Sequence, residues 1–184
     1  MNKNLLIEMK EKSYRIFKSL NANLIQNCNY FKNFKGRDID AFYEKKIKFK
    51  KVSKNIIVRD KNKNDLRFHI NNQKSDNFLT LDAQCLSTTQ NTFRKIFTEK
   101  FNKKYFCKKT RLNHLDENSI IFFKLFKYFN GTIFSFDQLK DLKKRIKKLK
   151  KKDNYLILGS IKKTLPDEFP IIMQFFNWNF NKFI

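Results

Sequence analysis

The sequence predicts an α+β protein: a small mixed sheet with an N-terminal helix, followed by a helical C-terminal half. Three observations carry this expectation. Apolar residues recur at helical spacing near the start, alternate with polar ones at period two between Asp38 and Ala83, and return to helical spacing beyond about residue 116. With 3 Gly and 2 Pro in 184 residues, little of the chain is free to be loop. The 22 Phe and a 41% apolar content supply enough surface to build a core.

Each element follows in order. Leu5, Leu6, Met9, Ile16, Phe17, Leu20, Leu24 and Ile25 space a helix over residues 4–26. An aromatic stretch from Cys28 to Phe34 reads as a short strand that ends at Lys35-Gly36. Asp38 to Tyr43 is a strand, with Ile39, Ala41 and Tyr43 on one face and Asp38, Asp40 and Phe42 on the other. Asn55 to Val58, the polar cluster Asp60 to Asp65, and the alternation of Leu66, Phe68 and Ile70 with Arg67 and His69 make a hairpin. Phe78 to Ala83 is the next strand, with Asp82 on the face opposite Leu79, Leu81 and Ala83. After about residue 87 the character changes. Phe93 to Phe106 is mixed and basic, and Ile120 to Phe129 is a helix with Asp116 and Glu117 at its positive end and Asn130-Gly131 at its close. Ser135 caps a further helix carrying Leu139, Leu142, Ile146 and Leu149. Residues 154–161 fit strand or helix, and Phe169 to Phe183 is helical. The expected division is an α+β core over 1–90 and a mainly helical region over 91–184.

Charge sets the second constraint. Lys+Arg number 41 against 17 Asp+Glu, a net charge of +24. Such a field attracts phosphates, nucleic acid or an anionic membrane surface. A chain rich in Lys, Asn, Ile and Phe and poor in Ala, Gly and Pro also carries the mark of an AT-biased genome, which inflates Lys without a ligand. On that reading the run from Lys143 to Lys152 is a solvated helix face, and the Phe stripes are core and not base-stacking platforms unless they prove exposed. No apolar run reaches the ~18 residues of a spanning helix. Glu8, Lys10, Glu11 and Lys12 interrupt any signal-peptide core. Cys28, Cys85 and Cys107 form no CxxC pair, and His69 and His114 stand at no zinc spacing from them. All three read as reduced thiols in a reducing compartment, and the protein as cytoplasmic. His114 reads as a loop or capping residue.

The informative segment is Lys35-Gly36-Arg37-Asp38-Ile39-Asp40-Ala41-Phe42-Tyr43. Carboxylates at i and i+2 of a strand share a face and repel each other unless a cation lies between them. Asp82 interrupts an otherwise apolar strand, where strand propensity disfavours it and burial without a partner is costly. Three carboxylates on neighbouring strands make a hard-oxygen site suited to Mg²⁺.

Gly36-Arg37-Asp38-Ile39-Asp40 before an aromatic strand, with Leu81-Asp82 on a later one, resembles the polymerase-beta-type nucleotidyltransferase superfamily. Lys32-Asn33-Phe34 is similar to the lysine-asparagine-aromatic sequence of its nucleotidyltransferase-like members, and Ile120 to Lys127 to the lysine-bearing helical segment that follows. The resemblance covers roughly residues 24–130 and implies a small mixed sheet of the nucleotidyltransferase type. It implies Asp38, Asp40 and Asp82 as Mg²⁺ ligands, with Asp82 also placed to take the proton of an acceptor hydroxyl. It implies nucleotidyl transfer from a nucleoside triphosphate to a small molecule, a glycan or RNA. The chain departs from the family in one respect: no Gly-Ser or Gly-Gly turn lies about ten residues before Asp38. Lys32, Lys35 and Arg37 are the residues left to bind the phosphates. The competing class is a non-enzymatic basic module that binds nucleic acid through phosphate contacts. It is disfavoured because three converging carboxylates repel phosphate in the absence of a metal, and because no zinc module, RNA-recognition motif or helix-turn-helix signature is present.

Overall fold

A computed structural model of the chain describes residues 18, 20–25, 38–44, 56–60, 65–72, 75–108, 111–131 and 134–176, with the backbone alone at 38, 39, 56–60, 65–72 and 75–81. It is a mixed α+β structure that divides into two compact units. One comprises Met1–Gln90 and Lys104–Asp116, the other Asn91–Lys103 and Glu117–Ile184. The chain leaves the first unit after Gln90, and residues 104–116 return to it.

The first unit holds a seven-stranded sheet. In chain order its strands are β1 (Asn23–Leu24), β2 (Asp38–Tyr43), β3 (Ile56–Asp60), β4 (Asp65–Asn72), β5 (Ser75–Cys85), β6 (Lys104–Cys107) and β7 (Leu112–Leu115). In space they run β3-β4-β5-β2-β1-β7-β6. β3, β4 and β5 form an antiparallel meander, as the hairpin pattern in the sequence predicts. β5 then pairs with β2 in parallel. The link from Tyr43 to Ile56 spans 12 residues, the length a parallel connection requires. The face bearing Leu24, Ala41, Tyr43, Ala83 and Cys85 is buried. Phe42, on the opposite face, is buried as well.

The expected helix over residues 4–26 lies mostly outside the described residues, and where its end is described the chain is strand at Asn23–Leu24. Asn21, at φ 48, makes the turn into that strand, a conformation Asn tolerates better than most residues. The strand expected over 28–34 falls outside the described residues. Two expectations are corrected. His114 is a fully buried β7 residue, stacked on Tyr105 at a ring-centroid distance of 5.8 Å, and not a loop or cap. An Asn-His pair between two leucines gives little strand signal, and its pairing partners lie elsewhere in the chain. Cys107 is disulfide-bonded, so the reading of three reduced thiols fails there, while Cys85 is a buried thiol outside any disulfide. Spacing in sequence reports only local Cys pairs, whereas a disulfide needs only Cα atoms brought within about 7 Å by the fold.

The second unit is helical: α1 (Asn91–Ile96), continued by a π turn (Phe97–Phe101), α2 (Glu117–Phe129), α3 (Phe136–Lys147), α4 (Lys151–Thr164) and α5 (Phe169–Phe176). Its core is aromatic. Phe93, Phe97 and Phe101, four residues apart, are fully buried and meet Phe122, Phe123 and Phe126 of α2. The closest pairs are Phe93–Phe126 at 3.8 Å and Phe101–Phe122 at 4.1 Å, both stacked. Each such pair adds about 0.5–1.5 kcal/mol beyond the area it buries.

Local signals end the helices where the sequence puts them. Gly131 at φ +81 follows α2, whose last turn is closed by Asn130 N–H donating to the Phe126 carbonyl at 2.9 Å. Ser135 forms a capping box on α3: Gln138 N–H donates to Ser135 Oγ at 3.3 Å, and Ser135 N–H donates to Gln138 Oε1 at 2.8 Å. The segment 154–161 is helix. α4 opens with Lys150, Lys151 and Lys152 and no side-chain cap. Cations at the positive end of a helix oppose its dipole by roughly 0.3–1 kcal/mol each at the surface.

Phe93→Ala should destabilise the chain by about 3–5 kcal/mol, since three rings stack on that side chain and a fourth meets it edge-on, and a denaturation midpoint followed by circular dichroism will register the loss. Gly159→Ala should act in the opposite direction. Gly159 is an exposed mid-helix position where an added methyl meets no atom within 4 Å. The substitution should raise stability by about 0.4–1 kcal/mol in the same assay.

Candidate carboxylate site

β2 and β5 carry the residues singled out in the sequence. Their parallel register pairs Asp38 with Thr80, Asp40 with Asp82, and Phe42 with Gln84. Partners across a ladder rung share a face, and strands lie about 4.8 Å apart. Asp40 and Asp82 therefore occupy adjacent positions on one face, and Asp38 lies one pleat repeat away on that face. Two unit charges 5 Å apart repel by about 3 kcal/mol at an effective dielectric of 20.

The sheet brings basic and imidazole residues into the same rows. Arg67 of β4 is registered opposite Asp82, and His69 opposite Thr80. One row thus reads Arg67, Asp82, Asp40, and the next His69, Thr80, Asp38. Asp40 and Asp82 are both half-buried, and each takes part in a polar interaction. β1 closes the other side of β2, with Ile25 N–H donating to the Asp40 carbonyl at 3.1 Å.

Of the residues expected at this site, Lys32, Lys35 and Arg37 lie outside the described residues, as does the Asp38 side chain. Among the described residues no group of three His, Cys, Asp or Glu could hold a metal ion; the described part of the site is the Asp40–Asp82 pair. Its donors are hard carboxylate oxygens, and Cys85, on the same strand as Asp82, has the opposite pleat parity and is buried. That donor set fits Mg²⁺ or another oxygen-seeking cation.

Sequence reasoning does not reach Asn23, because the apolar spacing around it is helical. It is registered between Phe42 and Asn113, is buried, and its Oδ1 has no hydrogen-bond partner. The Asn21-Ala22-Asn23 sequence was the available signal for a turn into a strand there.

Among the described residues no helix is long and apolar enough to cross a membrane. The chain matches no family model, no curated protein and no solved structure.

Proposed function

We propose that the face carrying Asp38, Asp40 and Asp82 is a Mg²⁺-dependent nucleotidyl-transfer site, moving the nucleoside monophosphate of a nucleoside triphosphate to an acceptor hydroxyl with release of pyrophosphate. One observation carries the reading: Asp40 and Asp82 are registered opposite each other on adjacent parallel strands, with Asp38 two residues earlier on the same strand. The likeness of Gly36-Arg37-Asp38-Ile39-Asp40 and Leu81-Asp82 to the polymerase-beta-type superfamily supports it, as does the mixed sheet on which the carboxylates stand.

In this reading the chain's own residues divide the work. Asp38, Asp40 and Asp82 would hold the metal, which when bound neutralises triphosphate charge and acidifies a coordinated hydroxyl. Asp82, at a half-buried position, accepts the acceptor's proton. Lys32, Lys35 and Arg37 bind phosphate oxygens in place of the absent Gly-Ser turn. Arg67, in register with Asp82, keeps the acidic pair compatible with folding before substrate arrives. The acceptor is a small molecule, a glycan or RNA.

Isothermal titration with ATP, GTP, CTP and UTP in the presence of Mg²⁺ tests the reading. At least one nucleotide should bind, and chelation should weaken it tenfold or more. Asp40→Ala should remove the Mg²⁺-dependent part of the affinity with an unchanged circular-dichroism spectrum, while Asp137→Ala on α3 should leave binding as it was. Metal-dependent affinity that survives Asp40→Ala would rule out the metal role.

A further inference from the structure

The positive charge is concentrated in one stretch. Between Lys140 and Lys152 stand nine basic residues against one acidic one, Asp141. Asn, the other polar residue that an AT-rich genome inflates, occurs 22 times in the chain and is absent from 140–152.

The fold sorts these cations into two kinds. Arg145 turns inward, donating from Nη1 to Glu117 at 2.8 and 3.1 Å and from Nε to Asp141 at 2.8 Å. Burial opposes its charge, yet the Asp141 hydrogen bond and the two nearby carboxylates together raise its pKa above the ordinary value. The eight lysines form no ion pair among the described residues, and seven of them are exposed. Leu139, Leu142 and Ile146 form the buried stripe of α3. Phe136, Lys140, Lys143 and Lys147 share another face, about one per turn of 5.4 Å. The line of cations continues round the corner through Lys148 and Lys150 to Lys152 at the positive end of α4.

Two aromatic rings stand on this line. Phe136 is 76% exposed at the first position of α3, although the Ser135–Gln138 capping box holds that turn without its ring. Phe175 is 39% exposed, with Lys143 Nζ 6.0 Å from its ring centroid and 3.4 Å from its carbonyl oxygen. The sequence-level objection to base stacking was that the Phe residues are core, and for these two it does not hold.

We propose that the Phe136–Lys152 face, with Phe175 of α5, binds single-stranded nucleic acid, the lysines contacting phosphates and the two rings stacking on bases. An exposed ring gains from bases that are free to stack, which a duplex keeps inside itself. An anionic membrane fits less well. Interfacial helices insert a continuous apolar face, and the apolar stripe of α3 is already buried. The proposal does not rest on the reading of the carboxylate face.

The full chain is titrated against a fluorescent oligouridine, a duplex of equal charge, and vesicles of 30% phosphatidylglycerol in phosphatidylcholine, at two salt concentrations. The oligouridine should bind most tightly. Lys144→Gln/Lys147→Gln should weaken it about fivefold or more and flatten the salt slope by roughly 1.4, at about 0.7 per phosphate contact on a single strand. Lys162→Gln/Lys163→Gln, which removes the same charge from the far end of α4, should change affinity less than twofold. Phe136→Ala should weaken oligouridine binding about fivefold or more, leaving the salt slope and duplex binding unchanged. Equal losses in the two lysine pairs would reduce the effect to net charge and overturn the proposal. So would an inert Phe136→Ala, or binding to vesicles without binding to oligouridine.

Discussion

The sheet depends on the parallel pairing of β2 with β5. Six consecutive residues of each strand are in register, and the meander on one side and β1 on the other both build outward from that pair. On its apolar face Ala41 lies opposite Ala83, with Leu24 beside Ala41. These side chains are buried, and that burial holds the register. A slip by one residue would carry Asp82 to the apolar face, where an unpaired carboxylate is costly. The acidic face is thus fixed by the packing behind it, and the proposed chemistry depends on two alanines and a leucine that touch no substrate.

Much of this was legible in the sequence. Period-two alternation located β2, β4 and β5, and the polar cluster after Val58 marked the turn of a hairpin. The Ser135 cap and the Asn130-Gly131 stop were readable because capping is a local contact between neighbours. What escaped was non-local. β1 is two residues long and exists because β2 and β7 lie on either side of it, so no window of sequence could announce it. The β6–β7 hairpin was hidden in a segment whose Lys and aromatic residues alternate poorly, and its His114 is buried by the fold around it and not by its own pattern. At the site, the residue types of the two carboxylates were legible in the sequence. Only the topology sets Asp40 against Asp82 and Arg67 beyond it.

The helical unit shows how one composition can serve opposite ends. Its Phe residues are mostly stacked in the interior, where ring contacts replace the small-residue packing that a chain with so few Gly and Ala cannot use. Its cations split in the same manner. Lys124, 3.9 Å from Asp141, and Arg145 are tied to carboxylates within the unit, whereas the lysines from 147 to 152 face water and repel one another. The contrast makes α3 an electrostatic boundary, with ion pairs on one side and uncompensated charge on the other.

The way the chain threads between its two units limits the order in which it can be built. Phe93, Phe97 and Phe101 enter the helical core before β6 and β7 have been made, while the rings they stack on come after both strands. During synthesis the first half of the aromatic stack therefore waits about twenty residues for its partner, with its rings exposed to whatever is nearby. The sheet meanwhile lacks its last two strands until that same stretch emerges. Neither unit can finish before the other has begun, so no single cut yields two self-sufficient pieces: a fragment ending at Gln90 lacks an edge of its sheet, and one starting at Asn91 carries two orphaned strands as a loop. The two units are each compact, and their segments alternate along the chain.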